Sequence, residues 1–145
     1  MIRRETLTHR FVETVPDALE DGVLYVSTKY ATAVHCCCCG CGQEVVTPFS
    51  PTDWRMTFDG ETLSLSPSIG NWSFPCRSHY WIERDQVRWA RRWSAEQIRA
   101  GRDADRIAKD RYYTPDGRAF RGGGFRRAWS RVLRLLRLPQ RARRP

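Results

Sequence analysis

No apolar run in this 145-residue chain approaches the roughly 18–20 residues that a membrane-spanning helix needs. The start, Met1-Ile2-Arg3-Arg4-Glu5, has basic residues but no apolar stretch behind them, so it does not read as a targeting segment. No internal repeat is visible. Well-separated cysteine pairs of the kind that staple small secreted domains are missing as well. Four of the six cysteines are consecutive, Cys36 to Cys39, and neighbours cannot easily reach disulfide geometry. The chain therefore reads as cytoplasmic, and its short-spaced thiols read as a metal site rather than a redox framework.

What is present suits one folded domain. A hydrophobic share of 41% with six Trp and six Phe is enough for a core at this length. The charge is unevenly spread. Residues 1–90 carry 8 Lys and Arg against 11 Asp and Glu, whereas residues 91–145 carry 17 against 5. A mildly acidic body is thus followed by a basic extension, which suggests an anionic partner for the tail or simply a solvated surface.

The expected fold is α+β, a small, mainly antiparallel β domain with C-terminal helices. Strands are expected at 22–27, 30–35 and 44–47, all rich in β-branched and aromatic residues. A hairpin is expected from 54–58 through Asp59-Gly60 to 61–66, since both arms alternate apolar and polar residues and the turn pair favours positive φ. A second hairpin is expected from 79–82 to 86–89. Ser94 and Gln97 form a capping box for a helix running to about Tyr112, weakened by Gly101. The expected divisions are a β-rich metal-binding domain at 1–93, a helical extension at 94–121 and a basic amphipathic tail at 122–145.

The chemistry concentrates in His35-Cys36-Cys37-Cys38-Cys39-Gly40-Cys41-Gly42 and, 35 residues after Cys41, in Cys76-Arg77-Ser78-His79. Zinc takes about four such donors in a tetrahedron. The first group supplies two or three thiols and the Cys-x-x-His pair supplies the rest. Gly40 and Gly42 allow the positive φ of a turn that aims several sulfurs at one ion. Pro75 stiffens the approach to Cys76. Cys36-x-x-Cys39, Cys38-x-x-Cys41 and Cys37-x-Cys39-x-Cys41 are competing sets, and His35 is a further donor. A closed thiolate-rich site reads as structural, because catalytic zinc keeps an open position.

Several words of the sequence resemble a bacterial family, the domain-of-unknown-function family 6527. They are Cys-x-Cys-Gly-Cys-Gly before Glu44-Val45-Val46-Thr47-Pro48, then Ser50-Pro51-Thr52-Asp53-Trp54, Leu65-Ser66-Pro67-Ser68-Ile69-Gly70-Asn71-Trp72, and Phe74-Pro75-Cys76-Arg77-Ser78-His79-Tyr80-Trp81-Ile82. The likeness covers about residues 20–93. It implies metal donors at Cys37, Cys39, Cys41, Cys76 and His79, with Cys36 and Cys38 ranked below them. It also implies a small companion of bacterial ubiquitin-like conjugation operons, with a ubiquitin-like protein or its conjugating enzymes as partners.

Three functions follow. The leading one is a zinc-stabilised, noncatalytic accessory or adaptor of such a system. The alternative is a peptidase, metal- or serine-dependent, that processes or removes the ubiquitin-like protein. A serine-type site can be drawn from Ser66 or Ser68 with His79 and Asp53, although such a triad is recognised by geometry, and the plainer role of Asp53 is to bond turn amides. The third is a nucleic-acid binder using the tail. There Phe125, Trp129, Val132, Leu133 and Leu136 share one face of a helix studded with arginines, which suits docking on the body or a partner groove first, and an anionic membrane surface or nucleic-acid phosphates after it. Trp54, Trp72, Trp81 and Trp89 are expected in the core.

Overall fold

The computed structural model describes residues 2–114. The chain divides into two compact units, residues 1–108 and 109–145. The expected basic tail at 122–145, with its amphipathic helix at 125–138, lies outside the described residues.

Eight strands precede one helix among the described residues. They are β1 (Thr8–Phe11), β2 (Val23–Ser27), β3 (Thr32–Cys36), β4 (Glu44–Pro48), β5 (Arg55–Phe58), β6 (Leu63–Gly70), β7 (His79–Glu83), β8 (Gln86–Trp89) and α1 (Ala95–Tyr113). They form two four-stranded sheets, β1-β2-β3-β4 and β5-β6-β7-β8. Every pairing is antiparallel except β1 with β2. The α+β expectation therefore holds, with a mostly antiparallel framework and a helix after it.

The strands form where the residues suit two-sided or one-sided burial. Val23-Leu24-Tyr25-Val26-Ser27 is buried along its whole length, as a continuous β-branched and aromatic run allows. In β4 only Val45 and Thr47 are buried, the period-2 pattern of a half-covered strand. Leu24, Val26, Leu63, Leu65, Ile69, Tyr80 and Ile82 draw on both sheets to make one core, into which Cys37 and Cys38 also pack. Fully burying a side chain of this size contributes roughly 1.5–3 kcal/mol.

Two turns are built as their residues suggest. Asp59 Oδ1 accepts from the Glu61 and Thr62 amides at 3.0 and 2.7 Å, with Gly60 at φ +102°. Arg84 and Asp85 both take positive φ. That costs roughly 1–2 kcal/mol per residue for ordinary side chains. Asp85 offsets it by accepting from the Leu63 amide at 3.1 Å and by facing His9 Nδ1 at 3.0 Å.

The structure adds two features. Residues 5–11 form a strand-like edge whose Leu7 amide donates to Asp85 O and whose Glu5 carbonyl accepts from Val87, before β1 pairs with β2. This segment lacks strict alternation, and its pairing partners lie far along the chain. The second feature is the length of β6, which runs to Gly70 rather than stopping at Ser66. It crosses the cis Ser66–Pro67 bond with a register shift between Leu65 and Ile69. Pro67 cannot donate to the ladder, so the pairing is interrupted there without ending the strand.

The capping box is present. Ser94 N donates to Gln97 Oε1 at 2.9 Å and Gln97 N to Ser94 Oγ at 3.2 Å. Gly101 has a packing reason. A Cβ there would lie 3.1 Å from the Trp93 ring.

Candidate functional site

The loop after β3 and the loop between β6 and β7 bring four sulfurs together. The Sγ atoms of Cys37, Cys39, Cys41 and Cys76 all lie within 4.8 Å of one another. Cys37 is 3.5 Å from Cys39 and 3.9 Å from Cys76, and Cys41 is 3.8 Å from Cys76. A tetrahedron with metal–sulfur bonds of about 2.3 Å has sulfur–sulfur edges of about 3.8 Å. The four thiols thus match the donor set and spacing of a metal-binding group.

The local backbone explains how. Gly40 and Gly42 sit at φ +79° and +75°, as the sequence leads one to expect. Gly40 has a second constraint, since a Cβ there would lie 2.9 Å from the Ile2 carbonyl. The turn is closed by Gly40 N donating to Cys37 O at 2.9 Å and Cys37 N donating to Gln43 O at 2.7 Å. On the other loop, Asn71 N donates to Ser78 O at 2.9 Å, which brings the Cys76 segment back to β7.

Polar groups surround the sulfurs. Ser78 Oγ lies 3.1 Å from Cys37 Sγ and 3.6 Å from Cys76 Sγ. Asn71 Nδ2 donates to Ser78 Oγ at 2.9 Å and reaches Cys37 Sγ at 3.6 Å. Burial raises the Cys37 and Cys39 thiols above their ordinary value. Burial also acts to raise Cys76. Hydrogen bonds from the Ser78 side chain and backbone and from the Cys39 and Cys41 thiols outweigh it and bring Cys76 down to about 7. Such outer hydrogen bonds are what hold thiolate ligands in place around an ion.

The other candidate donors lie elsewhere. Cys36 Sγ faces the Leu19 carbonyl at 3.9 Å. Cys38 is buried in the core, where burial pushes its thiol up to about 12. His35 is fully buried, with Nε2 2.9 Å from the Tyr80 hydroxyl. His79 is not part of the sulfur group either. Its Nε2 lies 2.9 Å from Ser68 Oγ.

That second contact is a different kind of site. Gly70 faces His79 across β6 and β7, and Ser68 lies two residues earlier on β6, inside the stretch where the register shifts. Bulges of this kind re-aim side chains, and here the result is a serine hydroxyl on an imidazole. His79 is only 5% exposed. The Trp72 and Trp93 rings each lie 4.9 Å from it, centroid to centroid, and Trp81 lies 5.4 Å away. Trp72 and Trp93 stack on each other at 5.3 Å.

This enclosure corrects the expectation that the tryptophans are core. Trp81 is 38% exposed, Trp72 is half-buried, and both cover His79 on the outer face of the second sheet. Trp54 and Trp89 pack partly against the core. Gly70 makes room for this arrangement, because a Cβ there would lie 2.4 Å from Trp72 Nε1.

The aromatic enclosure sets the electrostatics. Burial lowers the His79 pKa below the ordinary 6.5, and the Arg91 backbone pulls it partly back. The ring is therefore neutral at pH 7. Among the described residues no carboxylate acts on the His79 ring, so Asp53 does not complete a triad with it. The Asp53 carboxylate instead accepts from Ser50 Oγ at 2.6 Å. Ser50 Oγ accepts from the turn amides of Thr52 and Asp53, at 3.2 and 3.0 Å.

A family model described as bacterial ubiquitination-like system serine protease (BubE) matches residues 11–90. The chain belongs to this family. The BubE match spans both the sulfur group and the Ser68–His79 contact, and it associates the chain with a bacterial ubiquitination-like system, as the motif resemblance implied. No curated protein and no solved structure matches the chain. Among the described residues no helix is long and apolar enough to cross a membrane.

In the sequence, Ser68 is one of two candidate serines, and His79 is a candidate both as a metal donor and as the partner of a serine. The Cys-x-x-His spacing singles out His79. Its partner depends on the bulged register of β6, for which Pro67 inside an otherwise strand-like run is the available signal.

Proposed function

We propose that this protein is a serine peptidase of a bacterial ubiquitination-like system, with Ser68 as nucleophile and His79 as general base. The observation that carries this reading is the 2.9 Å contact between Ser68 Oγ and the buried imidazole of His79. The description of the BubE family supports it. A neutral imidazole is the state a general base needs, and burial favours that state at pH 7.

The chemistry follows in two halves. Ser68 Oγ attacks the substrate carbonyl carbon while its proton passes to His79 Nε2. The carbon–nitrogen bond then breaks, and His79 returns that proton to the departing amine. An acyl group remains bonded to Ser68 Oγ. Water attacks that ester with His79 again taking the proton, and the acid and free Ser68 are released.

Cys37, Cys39, Cys41 and Cys76 hold one zinc ion in a closed site that supplies folding free energy rather than a reacting position. His79 serves Ser68 in this arrangement, so the five-donor set suggested by the sequence narrows to the four thiols. The donor chemistry and the near-tetrahedral sulfur spacing support zinc among divalent metals.

Labelling with a fluorophosphonate tests the reading. Wild type is expected to be modified at Ser68, as located by peptide mass spectrometry. Ser68→Ala and His79→Ala are expected to lose labelling while keeping their metal and their melting transition. If neither labelling nor peptide cleavage occurs in metal-loaded wild type, the peptidase reading fails. The accessory or adaptor role would then take its place, provided the protein still captures components of the system.

A further inference from the structure

Beside Ser68 lies a cavity of about 680 Å³. Its near wall is Ser66 and Pro67, the two residues before Ser68 on β6, and its other walls include Phe49, Pro51, Trp54 and Met56. We propose that this cavity is a substrate subsite that takes an apolar side chain from the acyl side of the cleaved bond, within the last four residues before it. The inference rests on the reading of Ser68 and His79 as the reacting pair.

The side of the cavity follows from where the proton must go. The departing amine takes its proton from His79 Nε2, so it leaves on the His79 side of Ser68. His79 faces Gly70, which lies beyond Ser68 along β6. The cavity lies the other way, at Ser66 and Pro67. Ser68 thus stands between the base and the cavity, and the half of the substrate that stays bonded to Oγ points toward the cavity.

The class of side chain follows from the lining. Phe49, Pro51, Trp54, Met56 and Pro67 supply the apolar part of the lining, and Ser50, Asp53, Arg55 and Ser66 the polar part; burying an apolar group against the former is favourable in proportion to the area removed from water. An extended peptide turns every second side chain to the same face. One acyl-side residue can therefore enter the cavity while its neighbours point away. The volume is in the range of pockets that take whole small ligands, so a side chain of Leu, Met or Phe size fits without rearrangement.

The experiment uses full-length, metal-loaded protein and a library of internally quenched peptides randomised over four residues before and three after the cleaved bond. Wild type is expected to prefer Leu, Met or Phe over Gly or Asp at one acyl-side position, by about 10- to 200-fold in kcat/KM. Ser66→Leu narrows the cavity from its near wall. Arg55→Trp narrows it from β5, and both positions are exposed, so folding is retained. Each variant is expected to move the preference toward smaller side chains by about tenfold. A preference confined to the leaving side, no acyl-side preference, or a preference unchanged in both variants would overturn the inference. If the fluorophosphonate labels Ser68 and any of these results is found, the subsite alone is wrong. If Ser68 is neither labelled nor active, the peptidase reading is wrong and the subsite falls with it.

Discussion

The sulfur group and the Ser68–His79 pair share one short loop, residues 71–78, which carries Cys76 between β6 with Ser68 and β7 with His79, yet their surroundings differ in kind. Around the sulfurs the protein places hydrogen-bonding groups, Ser78 and Asn71. Around His79 it places indole rings. Thiolates that share an ion carry charge, and donors aimed at them stabilise that charge. A general base works only while uncharged, and an apolar enclosure keeps it so. The same loop therefore carries part of a charged centre and joins the two strands that hold a neutral one.

The largest expected effect comes from removing the metal. Zinc binding in small metal-organised domains contributes on the order of 10 kcal/mol or more, comparable with the roughly 5–15 kcal/mol stability of a whole domain. Cys76→Ala is expected to lose both the ion, by elemental analysis, and the cooperative melt. Cys36→Ala is expected to keep both, since Cys36 lies apart from the group. A Cys76→Ala protein that melts like wild type would break the view that the sulfur group is structural.

Next in size is Ser68→Ala, which touches only the serine–histidine pair. Peptide hydrolysis is expected to fall by at least about 10³-fold, with metal content unchanged and a melting temperature within about 2 °C, as for a mild surface change. Loss of metal in this variant would mean that the two sites are not separable.

Gly70→Ala probes the enclosure itself. The new Cβ meets the Trp72 ring at 2.4 Å, and overpacking of this kind costs roughly 1–3 kcal/mol. Displacing the ring exposes His79, so kcat is expected to drop about tenfold, within the range general-base catalysis contributes. Trp72→Phe, which is smaller, is expected to restore part of the activity when combined with Gly70→Ala. A Gly70→Ala enzyme with wild-type kinetics would remove the tryptophans from the account of His79.

The smallest effect is a displacement of the pH profile. His79 must be unprotonated to act, and burial lowers its pKa below 6.5. Activity is therefore expected to persist as pH falls through 6.5 and to disappear only below it. In Gly70→Ala the acidic limb is expected to move up toward 6.5. A wild-type limb above 6.5 in kcat/KM would contradict the enclosed, neutral base.

Much of the sulfur group was legible in the sequence. Cys37, Cys39 and Cys41 are brought together by a turn of a few residues, and glycines mark the positive φ that the turn needs. Cys76 was legible as half of a Cys-x-x-His word. Local signals also placed β2, β4, β5, β8 and the capped start of α1, because alternation, turn chemistry and capping act over three to six residues. They did not show that Cys36 and Cys38 turn away from their neighbours, since spacing alone cannot say which way each thiol faces.

The chain by itself thus determined the short-range items: which thiols share a turn, where hairpins reverse and where the helix begins. Tertiary structure decided the rest. The pairing of residues 5–11 with two distant strands depends on partners more than ten residues away. The contact of Ser68 with His79 depends on the register shift in β6, where the four steps from Leu65 to Ile69 pass only two on β7, from Ile82 to Tyr80, and on the face to which Ser68 is turned there. That face is set by how β6 packs over the core, which no local pattern around Pro67 records.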